Sequence, residues 1–346
     1  MACGGASPAT GFSHPVFAQD TLYVGSTGGK VYALDPANGN KKWTFPADNS
    51  KIAVLYSAPI VGDQYVFIGS SDKKLYVLSA SSGEKQCEFE TGDSIIATPA
   101  YANGVVYVGS SDGSLYAVDP KQKNDKGQCA RKWEFKTQSK IWAEPLIVGD
   151  KIYVASLDHH LYALNLSRAD SDKPLWDFSA EGAIASSPRF ADGLLYFGSF
   201  DNNVYAVGAA DGKKVWQFAT ENWVWADPLV VNNLVVIGSL DHNIYALDAK
   251  TGELKWKFAT GEGVRAAASG KEAIVYVGSE DHNVYALNVS DGSKVWEYNA
   301  GDKVLAAPAL VDGTVIVQNN NHKLYALDAA SGAPNNQPKW QFETDK

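Results

Sequence analysis

The 346-residue chain carries 30 Lys and Arg against 39 Asp and Glu, a formal charge of -9, with 45% hydrophobic residues and a rich complement of 17 Tyr and 10 Trp. No run of Lys or Arg stands out, which excludes nucleic acid as the expected partner. No apolar stretch approaches the length that crosses a bilayer as a helix.

Residues 1–11 read as a tail and 12–346 as one domain. The chain opens Met1-Ala2-Cys3-Gly4-Gly5, without the basic and apolar regions of a signal peptide. This opening resembles a bacterial lipoprotein cut just before its lipid-bearing cysteine, so Cys3 is the expected lipidation site and the expected point of membrane attachment. Beyond the tail one phrase recurs: a valine- or isoleucine-rich triplet ending in Gly-Ser, a polar turn, then an apolar residue before Tyr-Ala-Leu or a close variant. Its tyrosines are Tyr32, Tyr76, Tyr116, Tyr162, Tyr205, Tyr245, Tyr285 and Tyr325, at spacings of 44, 40, 46, 43, 40, 40 and 40 residues. That period is the one expected of four-stranded propeller blades. A unit this small cannot bury its own core, so the repeats stack into one domain.

The sixth unit illustrates the expected blade. Trp225–Val231 reads as the first strand, Leu234–Gly238 as the second, Ile244–Leu247 as the third and Leu254–Phe258 as the fourth, separated by Asn, Asp and Gly turns. Apolar residues never sustain a period of 3.6, and Gly or Asn breaks every run, so no helix is expected. The fold class is all-β: an eight-bladed β-propeller of four-stranded antiparallel blades, a monomeric ring with a central channel.

The segment Ala33-Leu34-Asp35-Pro36-Ala37-Asn38-Gly39-Asn40-Lys41-Lys42-Trp43, repeated at Ala246–Trp256 and Ala286–Trp296, resembles the tryptophan-docking motif of the pyrroloquinoline-quinone-type propeller repeats. The resemblance runs from about Phe12 to Phe342. It implies that Trp43, Trp133, Trp176, Trp216, Trp256, Trp296 and Trp340 each pack on the Gly-containing turn of the next blade, with Trp340 reaching the turn near Gly39 to close the ring. In the second unit Cys87 stands where the tryptophan would be, and Cys129 stands where the third unit's Gly would be. The family's docking pair is thereby replaced by two cysteines, which implies a Cys87–Cys129 disulfide and an oxidising compartment.

Comparison between repeats isolates the remaining candidates. Counting back from the first-strand proline, the residue two before is Ser or Ala in every unit, and the residue four before is Leu, Ile or Val in all but the first, which has Gly11. These are packing positions. The residues three before (Phe12, Tyr56, Ile96, Trp142, Ala185, Trp225, Arg265, Leu305) and one before (His14, Ala58, Thr98, Glu144, Ser187, Asp227, Ala267, Ala307) vary instead. Alternation places both sets on one face, directed at the channel. Trp223 belongs to the same segment. Phe12, His14, Tyr56, Trp142, Glu144, Trp223, Trp225, Asp227 and Arg265 are therefore the candidate ligand- or partner-binding residues, with an axial plug as the competing reading of their bulk.

His159, His242, His282 and His322 occupy hairpins spread around the ring, where turn chemistry explains them better than a metal. No Gly-rich phosphate loop, nucleophile elbow or closely spaced Cys/His pattern is present, so no catalytic residue is assigned. Within the same repeat family the chain resembles the outer-membrane assembly lipoproteins, which support insertion of β-barrel proteins. That resemblance implies a non-enzymatic, periplasmic protein-interaction scaffold whose partner is a β-barrel assembly component, with no cofactor. The alternative is a propeller that binds a sugar or pyrroloquinoline quinone with calcium, as a redox enzyme.

Overall fold

The computed structural model describes residues 13–167 and 173–345, so Cys3 and Phe12 lie outside the described residues. Eight four-stranded antiparallel sheets follow one another in strict chain order, each strand pairing with the next in sequence. This is the expected eight-bladed β-propeller. Every blade is complete in itself: blade 1 begins at Val16–Ala18 and blade 8 ends at Trp340–Glu343, so no strand is shared between the chain ends. The one helical element among the described residues is a 3-10 turn at Pro334–Asn336.

Blade 6 corrects the expected strand bounds at one point. Its second, third and fourth strands, Leu234–Ser239, Asn243–Asp248 and Leu254–Ala259, exceed the expected ones by a residue or two, but the first is only Leu229–Val231. The stretch Trp225–Pro228 precedes the ladder and does not pair with it. Pro228 offers no N–H to a ladder, and the segment instead runs along the channel.

The hydrophobic cores lie between blades. Tyr196, Val204, Ala206 and Trp216 of blade 5 pack with Val235, Ile237, Tyr245 and Leu247 of blade 6, all but closed to solvent, and each other pair of neighbours, including blades 8 and 1, has its counterpart. The Ser or Ala two before the proline is buried in every described unit, from Ser13 to Ala306, and the Leu, Ile or Val four before is at 0% exposure from Leu55 to Val304. Glycine stands at 238, the last residue but one of the second strand of blade 6, because a Cβ there would collide with the Val264 side chain of the next blade.

Docking by tryptophan is seen directly at six joints. Trp216 donates from Nε1 to the Ala249 carbonyl at 2.9 Å, while its ring lies on Gly252, whose φ of +74° and lack of Cβ the contact requires. Trp43, Trp176, Trp256, Trp296 and Trp340 repeat the geometry, the last donating to the Pro36 carbonyl at 2.9 Å across the ring closure. Trp133 packs beside Tyr107; the turn of blade 4 beyond Ser167 continues outside the described residues. At the joint between blades 2 and 3 the cysteines are bonded, with Cys87 and Cys129 Cα atoms 5.6 Å apart.

A second set of ties works near the channel mouth. Asp241 accepts from the Tyr245 hydroxyl of its own blade at 2.8 Å and from the Glu221 N–H of the preceding loop at 2.9 Å. Asp112, Asp158, Asp201 and Asp281 do the same. Blade 1 has Gly28 in this place. There the Asp345 N–H donates to the Tyr32 hydroxyl at 3.0 Å, and the Asp345 carboxylate sits 3.7 Å from Lys30.

Two outcomes follow. Removing the disulfide by Cys87→Ser and Cys129→Ser opens a 42-residue loop and should lower stability by roughly 3 to 4 kcal/mol, measured by denaturant unfolding. Trp340→Ala should cost about 3 kcal/mol, the low end for a tryptophan truncation because the ring is only half-buried. Its amide exchange should rise chiefly in blades 1 and 8, whose joint lacks the aspartate tie, whereas Trp216→Ala should leave those two blades protected.

Candidate functional site

The unpaired segment before each first strand alternates its side chains. One set enters the interblade cores; the other lines the axis. His14, Tyr56, Ile96, Thr98, Trp142, Glu144, Ala185, Ser187, Trp225, Asp227, Arg265, Ala267, Leu305 and Ala307 surround a single axial cavity of about 90 Å3. The structure thus brings together seven of the nine sequence candidates. Trp223 does not line this cavity. It is 40% exposed at the mouth and joins the site through Phe200, on which it stacks with ring centroids 4.6 Å apart and planes 9° from parallel.

Phe200 was not singled out from sequence. It follows the second strand of blade 5, at a place where the other blades carry Ser, Thr, Leu, Glu or Asn, and it also packs on Trp225 at 4.9 Å. Trp142 and Trp225 come from blades 4 and 6, yet their rings stack at 6.1 Å and 24°. Blade 5, which lies between them, contributes the small Ala185 at the equivalent place. Cations flank this aromatic group: the Arg265 guanidinium lies 5.1 Å from the Trp225 ring and Lys140 5.5 Å from that of Trp142. Glu280 holds Arg265 through its Nε and Lys303 at 2.7 Å. The Trp142 indole N–H donates to Ser111 at 3.2 Å.

Deeper in the channel sits a charged group centred on Arg189, which sequence comparison also missed. It occupies the place just after the proline, where other units have Val, Ile, Ala, Leu or Ser; extending the alternation by one step would have found it. Arg189 pairs with Glu144 of blade 4 at 3.2 Å and with Asp227 of blade 6 at 3.6 Å. Ser187 completes the link: its hydroxyl accepts from the Glu144 N–H at 3.0 Å, and its own N–H donates to Asp227 at 2.6 Å. These side chains keep a quarter to a third of their surface open, at 34% for Arg189, 28% for Glu144 and 25% for Asp227, because they line a channel, but protein surrounds them on every side.

That enclosure disfavours charge. Burial, against the attraction of Arg189, holds the Glu144 and Asp227 carboxyls above the ordinary carboxylate range. Burial and the nearby Arg189 push His14 down to about 4, so its imidazole is neutral near pH 7. Glu144 and Asp227 are thus engaged within the channel, which His14 also lines, whereas the face open at the mouth is built from Trp142, Trp223, Trp225, Phe200 and Arg265.

The cavity does not fit a quinone held with calcium. Glu144 and Asp227 are committed to Arg189 and Ser187, and among the described residues no three His, Cys, Asp or Glu converge as ligands for a metal. The cavity of about 90 Å3 is also well below the roughly 300 Å3 at which small-molecule sites begin.

Comparison with known proteins places this architecture. No curated protein matches the sequence. Among solved structures, the computationally designed Ika8 protein superposes with a TM-score of 0.75 at 16% identity, over 93% of this chain and 96% of its own. BamB from Moraxella catarrhalis superposes with a TM-score of 0.72 at 19% identity, over 92% of each chain. At such identities the likeness is one of fold. The sequence itself matches the family described as outer membrane protein assembly factor BamB over residues 5–128, 166–270 and 258–346, and with most of its length so covered the chain belongs to that family.

Proposed function

We propose that this protein is a non-enzymatic, extracytoplasmic interaction scaffold in outer-membrane protein assembly. Its 12–346 ring presents the channel mouth to a segment of an assembly component, and Cys3, in the 1–11 tail, bears a lipid. The observation that carries the reading is the aromatic group of Trp142, Phe200, Trp223 and Trp225, flanked by Arg265 and Lys140 at one mouth of the channel. Aromatic side chains beside Arg are the residues in which binding energy at protein interfaces concentrates. The Cys87–Cys129 disulfide supports an oxidising compartment. The narrow cavity below favours docking on the rim of the mouth over enclosure of a small molecule.

The test is a titration of the purified ring against the purified central component of the β-barrel assembly machinery. Trp142→Ala and Trp225→Ala should each weaken the complex by about 2 kcal/mol, roughly 30-fold in Kd, while the melting temperature stays close to that of the parent. Unchanged affinity together with a large fall in melting temperature would make these rings core and not contact surface. Absence of any complex with the unaltered protein would overturn the reading altogether.

A further inference from the structure

Trp142 and Trp225 stand on blades that are not neighbours, and nothing in their own sequences holds one ring against the other. The nearest fixed points are two residues along each segment: Glu144 after Trp142 and Asp227 after Trp225. Between them, on blade 5, Arg189 reaches one carboxylate on each side, at 3.2 and 3.6 Å. Ser187, from the same blade, ties the Glu144 backbone and the Asp227 side chain. Ala185, next in the same alternation, leaves the space in which the indoles meet at 6.1 Å.

We propose that Arg189 is the positioning residue of the mouth: its clamp on Glu144 and Asp227 draws blades 4 and 6 together across blade 5 and thereby holds Trp142 against Trp225. A channel-lining guanidinium that bridges two carboxylates fixes their separation more tightly than apolar packing of equal volume, because a planar fork imposes direction as well as distance. The remaining charged and titratable groups around the clamp act differently. His14, from blade 1, is neutral down to about 4, and Arg265, from blade 7, is held by Glu280. The clamp is therefore broken from within its own trio, by loss of the arginine or by protonation of a carboxyl. Since burial holds both carboxyls above their ordinary range, acidification breaks the clamp at a higher pH than it would neutralise an exposed carboxylate.

The inference rests on the mouth being the docking surface only for its effect on binding; its direct test needs no partner. The full chain, labelled with 5-fluorotryptophan, is followed by fluorine NMR, with the Trp142 and Trp225 signals assigned from Trp142→Phe and Trp225→Phe. In Arg189→Met the Trp142 signal should move to the position it takes in Trp225→Leu, where the stacked ring is absent. That variant leaves two carboxylates unpaired and is expected to lose stability. The companion variant Arg189→Met with Glu144→Gln and Asp227→Asn carries no unpaired charge, and should show the same displaced signal with stability restored. A Trp142 signal at the unaltered position in this triple variant overturns the proposal, whatever the single variant shows.

In the unaltered protein the signal should shift on acidification at a pH above the value of about 4 typical of exposed carboxylates. A shift confined to lower pH overturns the proton dependence. If the signals move as expected while Trp142→Ala and Trp225→Ala leave partner affinity intact, the positioning role stands and the docking reading fails.

Discussion

Everything in this molecule depends on one constraint: a four-stranded blade of about 40 residues has two apolar faces and no core of its own. Each face is covered only by the next blade, so stability resides in the joints. The eight clusters of Tyr, Val, Ile and Leu between neighbours are therefore the core of the protein, distributed around an axis. The ring form follows, because a linear stack would leave two faces bare.

The joints are fastened at two radii. Toward the outside, an indole covers the glycine turn of the next blade and donates to its carbonyl; nearer the channel mouth, an aspartate links a tyrosine to the loop of the preceding blade. At two joints where a fastening is missing, another chemistry stands in. Cys87 and Cys129 bond where indole and glycine are both absent, and the Asp345 segment meets Tyr32 and Lys30 where blade 1 lacks the aspartate. Packing positions cannot vary without opening a joint, which leaves the channel-facing alternates free to differ between blades, and there the additional aromatic and charged side chains collect.

Charge in the channel is arranged by the same geometry. Convergence of eight segments on one axis puts Glu144, Asp227 and Arg189 close together although they come from three different blades. Their mutual pairing makes a buried charged layer tolerable where unpaired charges would be strongly disfavoured. It also separates the channel into an inner layer satisfied by its own partners and an outer aromatic face with cations beside it. The candidates read from the repeats form one continuous set in sequence terms, but Glu144, Asp227 and His14 belong to the inner layer and Trp142, Trp223, Trp225 and Arg265 to the outer.

Repetition made the fold readable before any coordinates, because eight copies of one pattern report which positions packing holds constant. The period, the all-β class and the Ser or Ala and aliphatic packing rows were legible in this way, and the Cys87–Cys129 pairing through the resemblance to the tryptophan-docking motif. Legible too were most lining residues, since alternation along a strand-like segment survives even where Trp225–Pro228 forms no ladder. Three things were decided only in three dimensions. Phe200 entered the site from a position whose counterparts in other blades are unremarkable. Trp223 reached it by stacking on Phe200 and not by lining the channel. Trp142 met Trp225 across an intervening blade. A repeat pattern determines what each blade presents to its neighbours; which side chains meet across the axis depends on the closed ring, where distance is set by the angle between blades and not by separation along the chain.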